Sequence, residues 1–198
     1  MKINRSIGIL LLIILTTSLA AQTTTATTPN TPTNSITSTA STIPKINWMS
    51  FEQAYELNKT RPKMIFVDVY TDWCGWCKRM DATTFTAPEV VAYMNQHFYA
   101  VKLNAERQDT VVIDGVIFVN SNPGSGRGSH QLAIELLRGK MSYPSYAFLN
   151  EKSQLLTVVP GYQPTKEFEP ILHYFGEGAY ITEKWENFRA GFQENSGQ

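Results

Sequence analysis

The sequence predicts an α/β protein with a central mixed β-sheet flanked by helices. The run Met64–Tyr70 is short, apolar and rich in β-forming residues, which is typical of a buried central strand. A helical pattern and then the alternating run Phe98–Leu103 follow it, and a strand–helix–strand order builds a parallel unit. Tyr146–Leu149 and Leu155–Val159 predict two further strands in a hairpin, so the sheet contains both parallel and antiparallel pairs.

Helical spacing marks the segments around the first of these strands. Ser50 followed by Gln53 has the form of a capping box, and the apolar residues after it predict an amphipathic helix over Ser50–Lys59. The residues from Cys74 onward favour a second helix that begins where the strand ends. The stretch Thr86–Glu89, which contains a proline, offers the start of a third.

The segment 105–128 is less regular. Asp114-Gly115 stands between two apolar runs, and this dipeptide tolerates the positive φ angles that a tight hairpin needs. The stretch 122–128 is rich in glycine but lacks the spacing of nucleotide-binding loops, so we interpret it as a flexible connection. Ser129, directly after it, is predicted to cap the next helix.

Two helices are predicted towards the C-terminus. Thr165 has the features of a helix start, but Pro170 removes a backbone hydrogen bond inside that helix. We therefore expect the helix to kink there or to start late, near Glu169. A last amphipathic helix is indicated by aromatic residues at helical spacing: Trp185, Phe188 and Phe192.

The composition is that of an ordinary globular protein. Of the 198 residues 42% are hydrophobic, and 17 basic side chains balance 17 acidic ones. With equal numbers of basic and acidic side chains, the protein does not have the excess positive charge that is typical of nucleic-acid-binding proteins. Two cysteines are too few for a disulfide-rich scaffold. We expect a monomer that does not bind nucleic acid.

The N-terminal part has the layout of a secretory signal followed by a linker. Basic residues precede the apolar run Ile7–Leu15 and small residues follow it, which predicts a signal peptide over residues 1–21. Residues 22–45 are rich in Thr, Ser and Pro and predict a disordered linker. The folded domain then covers 46–176, with a helical extension over 177–198. The protein is therefore expected in the periplasm or outside the cell, and an uncleaved, membrane-tethering signal is the alternative.

Chemistry is indicated at Cys74 and Cys77. Two cysteines separated by two residues on the first turn of a helix place the first sulfur over unpaired backbone N–H groups and the positive end of the helix dipole. This position lowers the pKa of the Cys74 thiol. Because the thiolate is the nucleophile in disulfide exchange, Cys74 is predicted to attack a substrate disulfide, and the less exposed Cys77 to resolve the mixed disulfide.

Three other interpretations of the cysteine pair stay open. A structural disulfide would close a very short loop and contribute about 2 kcal/mol at best. A metal site needs further ligands, and His97, His130 and His173 do not lie at the spacing of zinc ligands. Two free cysteines are uncommon in a secreted chain. We therefore expect no metal and no cofactor besides the redox-active pair itself.

The segment around the cysteines resembles the active-site segment of thioredoxins, including Trp73 before the first cysteine and Lys78 after the second. Asp68 stands where thioredoxins carry a buried aspartate, and Lys102 stands where they carry the lysine beside it.

Two later segments extend the resemblance. Ser142–Ser145 is similar to the cis-proline loop, and Gly161 to the glycine after the last hairpin. These landmarks come in the correct order over about 46–175, so the chain is identified as a member of the thioredoxin-like family. The resemblance implies a thioredoxin fold, with residues 105–128 as an insertion.

The resemblance also implies a set of functional residues. Asp68, with Lys102 beside it, would accept the proton of the Cys77 thiol. The backbone of Tyr143, beside a cis Pro144, would pair with an extended substrate peptide. Further substrate contacts would come from the residues around the dithiol: Trp73, Gly75 and Trp76.

One departure from the family leaves the direction of electron flow open. Trp76 replaces the proline common between thioredoxin cysteines, and this dipeptide is one determinant of the reduction potential. The dipeptide and the stretch Thr83–Val90 are similar to secreted domains of bacterial disulfide-reducing relays. The resemblance implies a thiol–disulfide oxidoreductase acting on protein thiols and disulfides, with reduction favoured and a membrane protein as the electron donor. The alternatives are an oxidase or isomerase, and a non-catalytic binding or chaperone module.

Overall fold

The computed structural model describes residues 44–124 and 128–196, without the side chains of the last two. The predicted signal peptide, nearly all of the predicted linker and the centre of the glycine-rich loop lie outside these residues. Within the described ranges, no helix has both the length and the apolar character needed to cross a bilayer.

A five-stranded mixed sheet forms the centre of the fold, with the strand order β1-β3-β2-β6-β7. The central strand β2 pairs parallel with β3 and antiparallel with β6, while β1 extends the parallel side and β7 the antiparallel side. The fold class expected from the sequence is confirmed. The strands are β1 Trp48–Met49, β2 Met64–Tyr70, β3 Phe98–Asn104, β6 Ser145–Leu149 and β7 Leu155–Pro160.

Six α-helices and two short 3₁₀ turns, Thr84–Thr86 and Ala179–Ile181, complete the described part of the chain. The predicted capping box is present, because Ser50 Oγ accepts the Gln53 N–H and Gln53 Oε1 accepts the Ser50 N–H. The helices are α1 Phe51–Thr60, α2 Gly75–Ala82, α3 Pro88–His97, α4 Gln131–Leu136, α5 Thr165–Gly176 and α6 Trp185–Ser196.

The two faces of the sheet carry separate cores because side chains alternate along each strand. In β2, Phe66 points into a core shared with α2, α3 and α5. Its neighbours Ile65 and Val67 point into a second core shared with α1 and α4. We call the first the aromatic face and the second the aliphatic face.

The segment 105–128 is closed at its base. The backbone N–H of His130 donates to the carbonyl of Ala105, at 2.7 Å, so the end of β3 and the start of α4 are joined directly. Inside this neck the buried Asn120 donates to the carbonyl of Gly128, at 2.6 Å. A Cβ at Gly128 would lie 2.5 Å from the carbonyl oxygen of Asn122, so only glycine fits there.

Beyond the neck lies the predicted hairpin, formed by β4 Val111–Ile113 and β5 Val116–Phe118. Its turn residues Asp114 and Gly115 have φ angles of 48° and 80°, as the sequence indicates. The hairpin is tied to α1, because the Asp114 carboxylate accepts hydrogen bonds from Tyr55 and Lys59.

The predicted cap of α4 is wrong by one residue. His130, not Ser129, is the N-cap, and its Nδ1 accepts the Leu132 N–H at 3.2 Å. The imidazole is fully buried, with Nε2 at 3.1 Å from the carbonyl oxygen of Asp109. Burial lowers the pKa of His130, so the neutral ring that can accept this bond is favoured.

Of the two alternatives predicted for α5, the late start near Glu169 is wrong. The helix begins at Thr165 and continues through Pro170. Proline costs one backbone hydrogen bond, but the helix buries a continuous apolar side against the aromatic face. That side consists of Phe168, Pro170, Ile171, Leu172 and Phe175.

Candidate active site

The dithiol lies at the junction of β2 and α2. Cys74 is the N-cap of α2, and its Sγ accepts the backbone N–H of Cys77 at 3.1 Å. The two sulfurs form a disulfide. Both residues are nearly covered, with 4% of Cys74 and 2% of Cys77 exposed, so the predicted difference in exposure is slight. A sulfur at this position meets the unpaired N–H groups of the first helical turn, where negative charge is stabilised.

Asp68 and Lys102 are neighbours across the parallel pair β2–β3. The Lys102 ammonium lies 2.6 Å from Asp68 Oδ2. The Asp68 side chain is 2% exposed, and its other oxygen, Oδ1, has no hydrogen-bond partner among the described residues. A buried carboxylate with one unpaired oxygen is in a position to take up a proton.

Lys102 is held by a second carboxylate and by three aromatic rings. Asp81, on α2 one turn after Cys77, accepts a hydrogen bond from the same ammonium and is about half exposed. The ammonium also lies 5.0 to 5.3 Å from the ring centroids of Trp48, Tyr70 and Phe85. Asp68, Lys102 and Asp81 therefore form a chain of charges from the core to the surface.

Burial and charge act in opposite directions on this group. Burial raises the pKa of Asp68 to about 6, although the Lys102 ammonium acts to lower it. Burial alone would lower the pKa of Lys102, but the carboxylates of Asp68 and Asp81 outweigh it and raise that pKa. Lys102 thus stays charged, whereas Asp68 changes its protonation around pH 6.

The loop that carries Pro144 lies beside the dithiol segment. The Tyr143–Pro144 peptide bond is cis, and the carbonyl of Pro144 accepts the N–H of Gly161 at 2.8 Å. The Tyr143 ring packs edge-on against Trp73, with 5.8 Å between the centroids. Within the described chain, no hydrogen bond occupies the backbone N–H or carbonyl of Tyr143. These two groups remain available to an extended peptide.

Trp73 and Trp76 flank the disulfide and are unusually exposed. Their exposed fractions are 64% and 58%. The Trp73 indole N–H donates to the carboxylate of Glu106, with N–O distances of 3.0 and 3.1 Å. Trp76 packs against Tyr162, with 5.3 Å between the ring centroids. Gly75, between them, is exposed, and a Cβ there would meet no atom within 4 Å.

Sequence reasoning missed three residues of this site. Asp81 looks like an ordinary helix-surface acid until the fold brings Lys102 against it. Tyr162 directly follows Gly161, which the sequence already identifies, so its position next to this glycine could have marked it as part of the site. Glu106 lies in the insertion, where no motif marks it.

Among the described residues, no group of three or more His, Cys, Asp or Glu side chains is arranged to hold a metal ion. The charged side chains of the site are instead paired with one another or with aromatic rings.

Known proteins resemble the chain in sequence and in fold. The curated protein disulfide-isomerase 5-2 of Arabidopsis thaliana is 42% identical over 43 residues, which cover 22% of this chain and only 10% of that relative. A thioredoxin-fold protein from Helicobacter pylori superposes with a TM-score of 0.52 at 18% identity, covering 74% of this chain and 94% of that one. A thioredoxin from Thermus thermophilus gives a TM-score of 0.50 at 17% identity, covering 66% and 87%. At such identities the two structures support the fold alone.

A family model covers nearly the whole chain. The Thioredox_DsbH model, described as a protein of unknown function, DUF255, matches residues 34–197. This match includes the dithiol, the Asp68–Lys102 pair and the Pro144 loop. The chain therefore belongs to the DsbH-like thioredoxin family.

Proposed function

We propose that this protein is a thiol–disulfide oxidoreductase that reduces disulfides of other proteins in the periplasm or outside the cell. The observation that carries the proposal is the Cys74–Cys77 disulfide at the N-terminus of α2, with the buried Asp68–Lys102 pair on the adjoining strands. No metal or organic cofactor is required, because the two sulfurs carry the electrons.

The reaction starts from the reduced dithiol. The Cys74 thiolate, stabilised by the N–H of Cys77, attacks one sulfur of the substrate disulfide. A bond forms between Cys74 and that sulfur, and the other substrate sulfur leaves as a thiolate. Cys77 then attacks Cys74, releases the second substrate thiol and closes the Cys74–Cys77 disulfide. Two electrons pass from the protein to the substrate.

Asp68 fits the role of the proton acceptor for Cys77 in the second step. A general base works best when its pKa lies near the working pH, and burial raises the pKa of Asp68 to about 6. The Lys102 ammonium acts to lower the pKa of Asp68, so the protonated carboxyl group can lose its proton again. Asp81 gives the ammonium a second partner that is open to solvent. A membrane protein is the electron donor that would regenerate the dithiol.

The substrate would bind along the cis-proline loop. The free backbone groups of Tyr143 would pair with an extended segment around the substrate cysteine. Trp73 and Trp76 would cover the segment on either side of the disulfide, since both are exposed.

Trapping tests the assigned roles of the sulfurs. Reduced Cys77→Ser protein is expected to accumulate a mixed disulfide with insulin or another disulfide substrate, because nothing resolves the bond at Cys74. Cys74→Ser is the matched control and should accumulate none. Equal turnover by the wild type and Cys74→Ser would contradict catalysis and favour a binding or chaperone module.

The reduction potential tests the direction. Equilibration with glutathione at known ratios should give a value near that of thioredoxin, about −270 mV. A value near about −120 mV, typical of a strong oxidant, would reject the reductase and favour an oxidase.

A further inference from the structure

The rim of the disulfide has two sides of opposite charge. Each side is built on one exposed tryptophan, Trp73 or Trp76, and large exposed aromatic side chains are typical of surfaces that contact partners. The side chains that surround the two tryptophans differ in sign.

The Trp73 side is acidic. Both carboxylate oxygens of Glu106 lie within 3.1 Å of the indole nitrogen. Asp72, next to Trp73 in the chain, is exposed, and its carboxylate accepts a hydrogen bond from Asn104. The nearest arginine in sequence, Arg107, is paired with Glu52 and Asp109. The two acids on this side therefore lack a cationic partner within the described residues.

The Trp76 side is basic. The Arg79 guanidinium lies 5.8 Å from the Trp76 ring centroid and 5.7 Å from that of Tyr162. No carboxylate of the described chain forms an ion pair with Arg79. Its charge is stacked on the aromatic surface beside the disulfide and remains open to a ligand.

The insertion holds the acidic side in place. Glu106 directly follows Ala105, whose carbonyl closes the neck with His130. The N–H of Glu106 donates to Asn104 Oδ1 at 2.8 Å, so its backbone is fixed on the strand side. The start of the insertion thus supports the Trp73 side.

We propose that this rim selects protein segments by charge, with a basic side chain of the substrate at Glu106 and an acidic one at Arg79. The substrate cysteine would lie between these two side chains, over Cys74. The two tryptophans would cover the apolar parts of the same segment. This inference rests on the proposed function, because it describes the substrates of the same disulfide.

The expected preference is moderate. Exposed ion pairs contribute little each because water and salt screen them, so two such contacts change kcat/KM by about two- to fivefold. A peptide is directional, so only one order of the two charges around its cysteine matches the rim. The preference should shrink as salt is added.

Two peptides of identical composition test the proposal. One has the order Lys-Gly-Cys-Gly-Glu and the other Glu-Gly-Cys-Gly-Lys, both blocked at their ends and carried as disulfides with thionitrobenzoate. Release of thionitrobenzoate by the reduced full-length protein gives the two rates. We expect one order to react about two- to fivefold faster than the other.

Charge-neutral variants assign the preference to its source. Glu106→Gln keeps an oxygen that accepts the Trp73 N–H but removes the charge, and Arg79→Gln removes the opposite charge. Each should reduce the ratio of the two rates. The matched controls Glu135→Gln on α4 and Lys166→Gln on α5 change exposed charges away from the rim and should leave the ratio unchanged.

Equal rates for the two peptides would overturn the charge selection while leaving the oxidoreductase intact. A ratio that persists in both Glu106→Gln and Arg79→Gln would overturn it too. Absence of thionitrobenzoate release from either peptide, together with intact insulin, would instead contradict the proposed function itself.

Discussion

The two faces of the sheet both bury a hydrophobic core against helices, but they use different types of side chain. On the aliphatic face, β2 and β3 present Ile65, Val67, Val69 and Leu103 to α1 and α4. On the aromatic face, Phe66 is surrounded by other rings at centroid distances of 5.3 to 6.3 Å: Trp48, Phe85, Phe98, Tyr146, Phe148 and Phe168. Among the described residues, the buried acid Asp68 lies on the aromatic face, and the aliphatic face contains no fully buried acid.

The difference teaches where a charge can be accommodated in this core. Aliphatic side chains remove water from a buried ion but form no favourable electrostatic contact with it, so burial there only costs free energy. Aromatic rings have a negative face, and three of them surround the Lys102 ammonium that accompanies Asp68. The disulfide site therefore lies on the side of the sheet whose aromatic rings surround the buried Asp68–Lys102 ion pair.

The largest effect is expected from removing the buried acid. The pKa of Asp68 is about 6 in the folded chain against an ordinary value of 3.8, so the folded chain binds this proton more tightly than the unfolded chain. Its contribution to stability is therefore present below pH 4 and is lost as the pH rises through 6. Relative to Asp68→Asn, the wild type should lose about 2–3 kcal/mol between pH 4 and pH 7. Urea unfolding at a series of pH values measures this.

Glu135→Gln is the control from the aliphatic side. This side chain is exposed on α4, so its replacement should change the unfolding free energy by less than about 0.5 kcal/mol at each pH. A difference between the wild type and Asp68→Asn that is the same at pH 4 and pH 7 would show that burial does not perturb Asp68.

A smaller effect is expected from exchanging side chains within β2. Phe66→Leu removes ring contacts on the aromatic face, where each pair contributes about 0.5–1.5 kcal/mol beyond its buried area. We expect a loss of about 2 kcal/mol. Ile65→Leu keeps the volume and character of the aliphatic face and should cost less than about 1.5 kcal/mol. Denaturant unfolding of both variants gives the comparison.

The same pair of variants separates packing from chemistry. Phe66→Leu should also shift the pH profile of disulfide reduction, because Phe66 packs against Phe85, one of the rings around Lys102. Ile65→Leu should leave the profile in place. Equal losses of stability and unchanged profiles in both would mean that the aromatic character of this face has no specific role.

Much of the fold could be predicted because its signals are local. The strand Met64–Tyr70, the capping box at Ser50 and the Asp114-Gly115 turn depend on residues close in sequence, and all three are present. β1 was missed because it has two residues, Trp48 and Met49, too few to show a period. The start of α5 at Thr165 was indicated, but the alternative of a late start near Glu169 is wrong because tertiary burial outweighed the local cost of Pro170.

The residues of the candidate site also fall into two groups, those that the sequence marks and those that become recognisable only in the folded structure. Cys74, Cys77 and Asp68 lie within one short segment, and the resemblance to thioredoxins also marks Lys102. Their places in the structure are known, whereas their catalytic roles remain predictions. Asp81 and Glu106 could not be predicted, because each gains its partner only when the chain folds.

The hydrogen bond between His130 and Ala105 divides the chain into the sheet with its helices and the outer part of the insertion. This backbone bond joins the end of β3 to the start of α4, so the outer part of the insertion leaves and rejoins the sheet at neighbouring points. A change in the length of the outer loop can therefore be accommodated between these two points, and under the proposed charge selection it would alter which substrates are preferred. The sulfurs and their supporting acid would keep their places throughout.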